Sequence, residues 1–222
     1  IGKTWNMVLI ILYRLVVASL LRNPHNFVGL AVGSRIIYVL MSVTRAQVQD
    51  TAFGEAMNMM AKSPYFLEEL KFNPDSKYSG QVINFGRGLQ LNAGSRSQHI
   101  IGRNTLGIGM DEGNFRLDAN PDARAYKLFQ DVRVRIKNRF QKVSGFLPAI
   151  SIIASSASDE SSFTETVIAE ITKKGDPSTE KVYSNAVYRM KNRRVWLQLG
   201  ADVDTANQHA NQYKHRWFKV AY

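Results

Sequence analysis

Ile1-Gly2-Lys3-Thr4 runs directly into the apolar stretch Trp5 to Leu21, and about a hundred residues later Leu106-Gly107-Ile108-Gly109-Met110 ends in Asp111-Glu112. The first segment reads as the last positions of a phosphate-binding loop, G-x-x-x-x-G-K-[ST]. Its amides and lysine hold phosphate oxygens and its hydroxyl ligates magnesium. The second reads as a strand that delivers one carboxylate to that metal and another to an attacking water. The separation leaves room for several strand-helix units, so the pair argues for an ATP-hydrolysing engine. No strand and no further glycine precede Gly2. The spacing therefore predicts that the first strand and the front of the loop lie outside these residues.

Composition narrows the chemistry. With 222 residues and 45% hydrophobic content, the chain can bury one sizeable core and a small appended subdomain. The absence of cysteine excludes disulfides, thiolate zinc sites and a thiol nucleophile. His25, His99, His209 and His215 show no metal-ligand spacing, which leaves magnesium on oxygen ligands as the expected metal. Twenty-nine Lys and Arg against eighteen Asp and Glu give a net charge of +11, favouring a polyanionic partner such as nucleic acid. Met7 to Leu21 is short for a membrane span and carries Arg14 near its centre, where a charge costs about 2.5–3.5 kcal/mol. A buried helix is the better reading, and no membrane partner is expected.

Local patterns predict alternating strands and helices. Helix from Thr4 to about Arg22 stops at Asn23-Pro24-His25, and the β-branched run Ser34 to Ser42 reads as a buried parallel strand. A helix from Thr44 through Met60 ends at Ser63-Pro64, and Gln81–Phe85 and Gly88–Asn92 flank Gly86-Arg87 as a hairpin or paired strands. Leu106 to Met110 and Pro148 to Ala154 are further strands, with helices predicted at 122–143 and 161–173. The fold class is thus α/β, a mostly parallel sheet flanked by helices. Residues 1–173 form the core, and 174–222, with a weaker apolar pattern, form a small lid or linker subdomain.

Further segments fall into order with the first two: Gly94-Ser95-Arg96-Ser97-Gln98-His99, Gly102-Arg103-Asn104, Met110 to Phe115, the basic run Arg135 to Phe140, and Ser155-Ser156-Ala157. Together they span most of residues 1 to about 170, and the chain resembles the ATPase domain of the large terminase subunit, the DNA-packaging motor of tailed bacteriophages. That resemblance implies a P-loop NTPase-type sheet. It implies that Gly2, Lys3 and Thr4 bind ATP, with Lys3 on the β and γ phosphates. Thr4 and Asp111 would hold Mg2+, Glu112 would polarise water, and Ser155, Ser156 and Ala157 would couple hydrolysis to DNA movement. Partners would be double-stranded DNA, a portal protein, a small terminase subunit and further copies in a ring. The setting would be the host cytoplasm, at the procapsid portal vertex.

Two positions depart from the family. Gly107 and Gly109 interrupt a strand that is usually bulkier, which either admits close approach or weakens the strand. The trans-acting arginine expected eleven residues before the glutamate is Ile101 here, and Arg96 and Arg103 are the nearest substitutes.

Ala125, Phe129, Val132, Ile136, Phe140 and Val143 recur at helical spacing. Arg135, Arg139 and Lys142 flank this stripe on one side, and Arg133 and Lys137 on the other. The basic residues suit duplex phosphates, or else a solvated face whose long stems shield the core. Other readings of the chain are a helicase-like translocase and a non-catalytic basic DNA-binding module, the latter indifferent to Lys3 and Glu112. Asp202 and Asp204 lie in a polar linker without the further carboxylates of a magnesium cluster.

Overall fold

The computed structural model describes residues 2–42, 45–76, 82–94, 103–112, 130–131, 134, 139–140, 149–156, 182–186 and 217–221. Helix α1 (Lys3–Leu20) is followed by the short α2 (Pro24–Val28) and strand β1 (Ile36–Met41). Helices α3 (Arg45–Val48) and α4 (Gly54–Ala61) are joined by a wider π-turn at Gln49–Phe53. The strands β2 (Val82–Asn84), β3 (Leu89–Gly94), β4 (Thr105–Asp111), β5 (Ile150–Ser156), β6 (Val182–Ala186) and β7 (Trp217–Ala221) complete one sheet with β1.

The sheet runs β2-β3-β1-β4-β5-β7-β6. Its centre, β3-β1-β4-β5, is parallel, while β2 on β3, β7 on β5 and β6 on β7 are antiparallel. The α/β class therefore stands as expected, with a mixed sheet around a parallel centre. The strands from the 174–222 region continue this sheet beyond β5. The predicted helix at 161–173, Ala157, and Asp202 and Asp204 lie outside the described residues.

All positions of β1 and β4 are buried, as expected for central parallel strands covered on both faces. One face collects Ile36, Tyr38 and Leu40 with Ile152 and Ala154 against Met7, Val8, Ile11, Leu12 and Leu15 of α1. Although α1 is long and apolar enough to cross a membrane by length and composition, here Met7, Val8, Ile11, Leu12 and Leu15 lie on the sheet while Trp5, Leu9, Tyr13 and Leu20 are exposed. Phe140 joins the same core at 5% exposure while Val134 is 55% exposed, which matches the two residues' places on and off the stripe read at 125–143. Of the described positions in that stretch, 130, 131, 134 and 139 are helical.

Two loop contacts fix the C-terminal end of α1. Arg87, in the hairpin turn with φ 60°, donates from Nη1 to the carbonyls of Ser19 and Leu21, satisfying acceptors that a helix end leaves open. The buried His25 bonds through Nε2 with the Ser34 carbonyl at 2.6 Å. That histidine anchors a loop. Of the helix expected from Thr44 through Met60, the described part from Arg45 is helical but underwound at its middle: a Cβ at Gly54 would stand 2.9 Å from the Gln49 carbonyl oxygen, so the π-turn favours glycine there.

Candidate functional site

The glycines of β4 set how closely α1 lies on the sheet. Gly107, Gly109 and Asp111 alternate onto one face, opposite Tyr38 and Leu40 of β1. A Cβ at Gly107 would fall 2.4 Å from Cδ1 of Tyr38, and one at Gly109 would fall 3.0 Å from Cγ and Sδ of Met7. What enters the vacated space is therefore side chain, the Tyr38 ring and the first apolar turn of α1. The Tyr38 hydroxyl then reaches across to donate to the Arg14 carbonyl at 3.0 Å. Burial drives its pKa well above the ordinary tyrosine value, against a smaller lowering by Arg14, so the phenol is a neutral donor. The register shift between β1 and β4 at Ile37/Tyr38 lies beside Gly107.

This docking carries the N-terminus of α1 to the C-terminal tip of β4. Gly2, with φ 74° and ψ 14°, is the N-cap, in the left-handed region where glycine is strain-free. Lys3 and Thr4 open the first turn. Lys3 Nζ forms an ion pair with Glu112 Oε1 at 2.9 Å, and Thr4 Oγ1 donates to Asp111 Oδ2 at 2.8 Å. Residues 107 and 109 positions apart in sequence thus meet side by side. The positive end of the helix dipole also faces the two carboxylates.

The two acids differ in environment. Asp111 is 4% exposed; burial raises its pKa above the usual carboxylate range, the Thr4 hydrogen bond lowers it, Glu112 raises it and Lys3 lowers it. Its Oδ1 also accepts from the Glu112 amide at 3.1 Å. Glu112 leaves the strand with φ 52°, an uncommon conformation for a non-glycine residue, and its amide donates to the Ala154 carbonyl at 2.8 Å. That bond ties the tip of β4 to β5. Glu112 Oε2 is buried without a hydrogen-bond partner, an arrangement that costs free energy unless function uses it.

The donor set suits magnesium. It offers one hydroxyl and one carboxylate oxygen, both hard ligands, and their 2.8 Å separation is close to the ~2.9 Å between adjacent corners of an octahedron with ligands at about 2.0–2.1 Å. Among the described residues no group of three or more His, Cys, Asp or Glu gathers, and a magnesium ion held by this pair would take its other ligands from water, as that ion commonly does.

The remaining expected site residues fall elsewhere. Ser155 is fully buried at the same end of the sheet, one residue beyond Ala154, the partner of Asp111. Strand alternation turns its side chain to the opposite face. Ser156 continues β5 beside Phe218. Arg103 precedes the N-terminal end of β4, and its Nη1 lies 2.9 Å from the Asn92 amide oxygen when that amide is oriented to accept. Asn92 pairs with Val39, which places this contact on the face opposite Asp111 and Lys3. Arg139 donates from Nε to Asn104 Oδ1 at 2.6 Å, and Asn104 donates to the Arg35 carbonyl at 3.0 Å. Arg96, Arg133, Arg135, Lys137 and Lys142 lie outside the described residues.

Sequence reasoning missed Tyr38 and Met7 as the residues that seat α1. The paired glycines in β4 were their signal, since a gap in a central strand implies a neighbour that fills it. It also missed the buried Asn92, for which two polar residues, Gln90 and Asn92, within a buried strand were the clue.

The chain matches no protein-family model, and no curated protein is significantly similar to it.

Proposed function

We propose that this protein is a magnesium-dependent, P-loop-type ATPase that drives a viral DNA-packaging motor, as the resemblance to large terminase subunits implies. The reading rests on one observation: Lys3 and Thr4 at the start of α1 meet Glu112 and Asp111 at the tip of β4. A helix N-terminus with no side-chain cap, carrying a lysine and a hydroxyl and facing two carboxylates, offers the groups that phosphoryl transfer to water uses.

In this reading Lys3 and the first amides of α1 hold the β and γ phosphates. Thr4 and Asp111 hold Mg2+, which when bound neutralises charge on the phosphate oxygens. Glu112 orients the attacking water and accepts its proton. The buried Ser155 lies where β4 and β5 end together, so a change at Glu112 can pass along the Glu112–Ala154 hydrogen bond into β5. Duplex DNA as the polyanion agrees with the net charge of +11.

The test is Glu112→Gln. Nucleotide binding should persist while turnover falls at least about a hundredfold, because only the water-activating carboxylate is neutralised. Turnover equal to the parent's would remove Glu112 from this role.

A further inference from the structure

Lys3 and Glu112 have separate tasks in the proposed reaction, yet in this structure each occupies the other. Lys3 Nζ sits 2.9 Å from Glu112 Oε1, with the two side chains 11% and 27% exposed. A lysine so held is turned away from an incoming phosphate. The carboxylate oxygen so held faces the ammonium at 2.9 Å and is not open to a water. The neighbouring Thr4–Asp111 hydrogen bond likewise ties up both oxygens expected to meet the metal.

We propose that the Lys3–Glu112 ion pair is a self-restraining latch: it keeps the water-activating carboxylate disarmed until a triphosphate takes the lysine. The inference rests on the ATPase reading and adds a regulatory step to the same site. The two states compete, since the phosphate oxygens, which carry more negative charge than one carboxylate, draw the same ammonium away from Oε1. Phosphate arrival breaks the pair and frees Oε1 of Glu112. The left-handed backbone at Glu112, φ 52°, helps the exchange. A residue held there by its side-chain and amide contacts has a lower-energy backbone region to move toward once one contact is lost. Water activation without bound nucleotide is thereby suppressed, and nucleotide binding includes the work of opening the latch.

A latch predicts that loosening it raises affinity. The pair is intermediate between an exposed ion pair, which contributes little, and a buried one, whose loss is costly. The expected gain is therefore about tenfold in Kd. Removing a negative charge near phosphates would also raise affinity by simple repulsion, so two variants are needed. Glu112→Gln removes charge and latch together. Glu112→Asp keeps the charge, falls short of Lys3 by one methylene, and tolerates φ 52° at least as well as glutamate.

The experiment is titration calorimetry of the full-length protein with a non-hydrolysable ATP analogue and magnesium, for parent and both variants, with thermal melting to establish folding. Tighter binding by about tenfold in both variants supports the latch. Tighter binding in Glu112→Gln alone overturns it in favour of charge repulsion. Equal affinity in all three overturns it while leaving the ATPase reading intact, and no saturable binding in any folded protein overturns that reading and the latch with it.

Discussion

Replacing Gly107 by alanine tests the packing that brings the site together. The new Cβ would lie 2.4 Å from Cδ1 and 2.8 Å from Cε1 of Tyr38, and 3.4 Å from Cγ2 of Ile150. Tyr38 is 1% exposed and its hydroxyl is bound to the Arg14 carbonyl, so the ring cannot swing aside without breaking that bond or lifting α1. Overpacking of this kind costs about 1–3 kcal/mol, and a contact so short belongs at the upper end. Against it stands the gain from replacing a strand glycine, about 0.5–1 kcal/mol. The clash wins, with a net loss of about 2 kcal/mol, or roughly 4–8 °C in Tm for a chain of this size.

Gly109→Ala supplies the internal contrast. Its neighbours are the flexible Met7 side chain at 3.0 Å and Leu40 Cδ2 at 3.2 Å, which can give by a few tenths of an ångström. There the two effects nearly cancel, and Tm should move by less than about 3 °C. Thermal melting of both variants, with Gly107→Ala combined with Tyr38→Leu as a partial rescue, measures the difference. If Gly107→Ala melts with the parent, or Gly109→Ala proves the costlier change, the account of how α1 is seated is wrong.

The pKa of Asp111 is raised by burial, so its ionised form opposes folding. The stability it withholds is absent below the unfolded-state pKa, near 3.8, and grows as pH rises through the higher folded value. Asp111→Asn should therefore match or exceed the parent's Tm at pH 7.5 and lose that advantage by pH 4, while magnesium-dependent turnover disappears; a Tm well below the parent's at pH 7.5 contradicts this. If Arg103 acts on a neighbouring copy, Arg103→Ala should be inactive alone yet regain turnover when mixed with Glu112→Gln protein, a role worth about 10³–10⁵ in rate; mixtures that stay inactive count against it. Replacing Arg135, Arg139 and Lys142 by glutamine should weaken binding to random-sequence duplex and lower the log-log salt slope by about 0.9 per lost contact, with a slight cost in stability from the Arg139–Asn104 bond. An unaltered slope in the folded variant makes these residues a solvated face.

Periodicity made the central strands legible because each is buried on both faces and so spells a continuous apolar run, as Ile36 to Met41 does. The hairpin was equally plain from Gly86-Arg87-Gly88, where Arg87 and Gly88 take positive φ. The π-turn at Gln49–Phe53 was not, since an i to i+5 winding leaves the apolar spacing of a helix nearly intact over one turn. The pairing of β7 with β5 was also beyond reach. Strand order depends on which edges meet after long connections, and a short strand carries no label for its neighbour.

For the site, motif residues separated by 107 and 109 positions could be named from residue type, but their meeting could not. It depends on a chain of packing: glycines at 107 and 109 leave room, Tyr38 and Met7 fill it, and α1 settles with its first turn over the tip of β4. Each link is apolar or backbone, yet together they fix polar atoms to within a hydrogen bond. The glycines that looked like a weakness in the acidic strand are thus what lets a lysine and a threonine reach it. A bulkier strand would hold α1 farther from the sheet, and Asp111 and Glu112 would then face a helix end they could not touch.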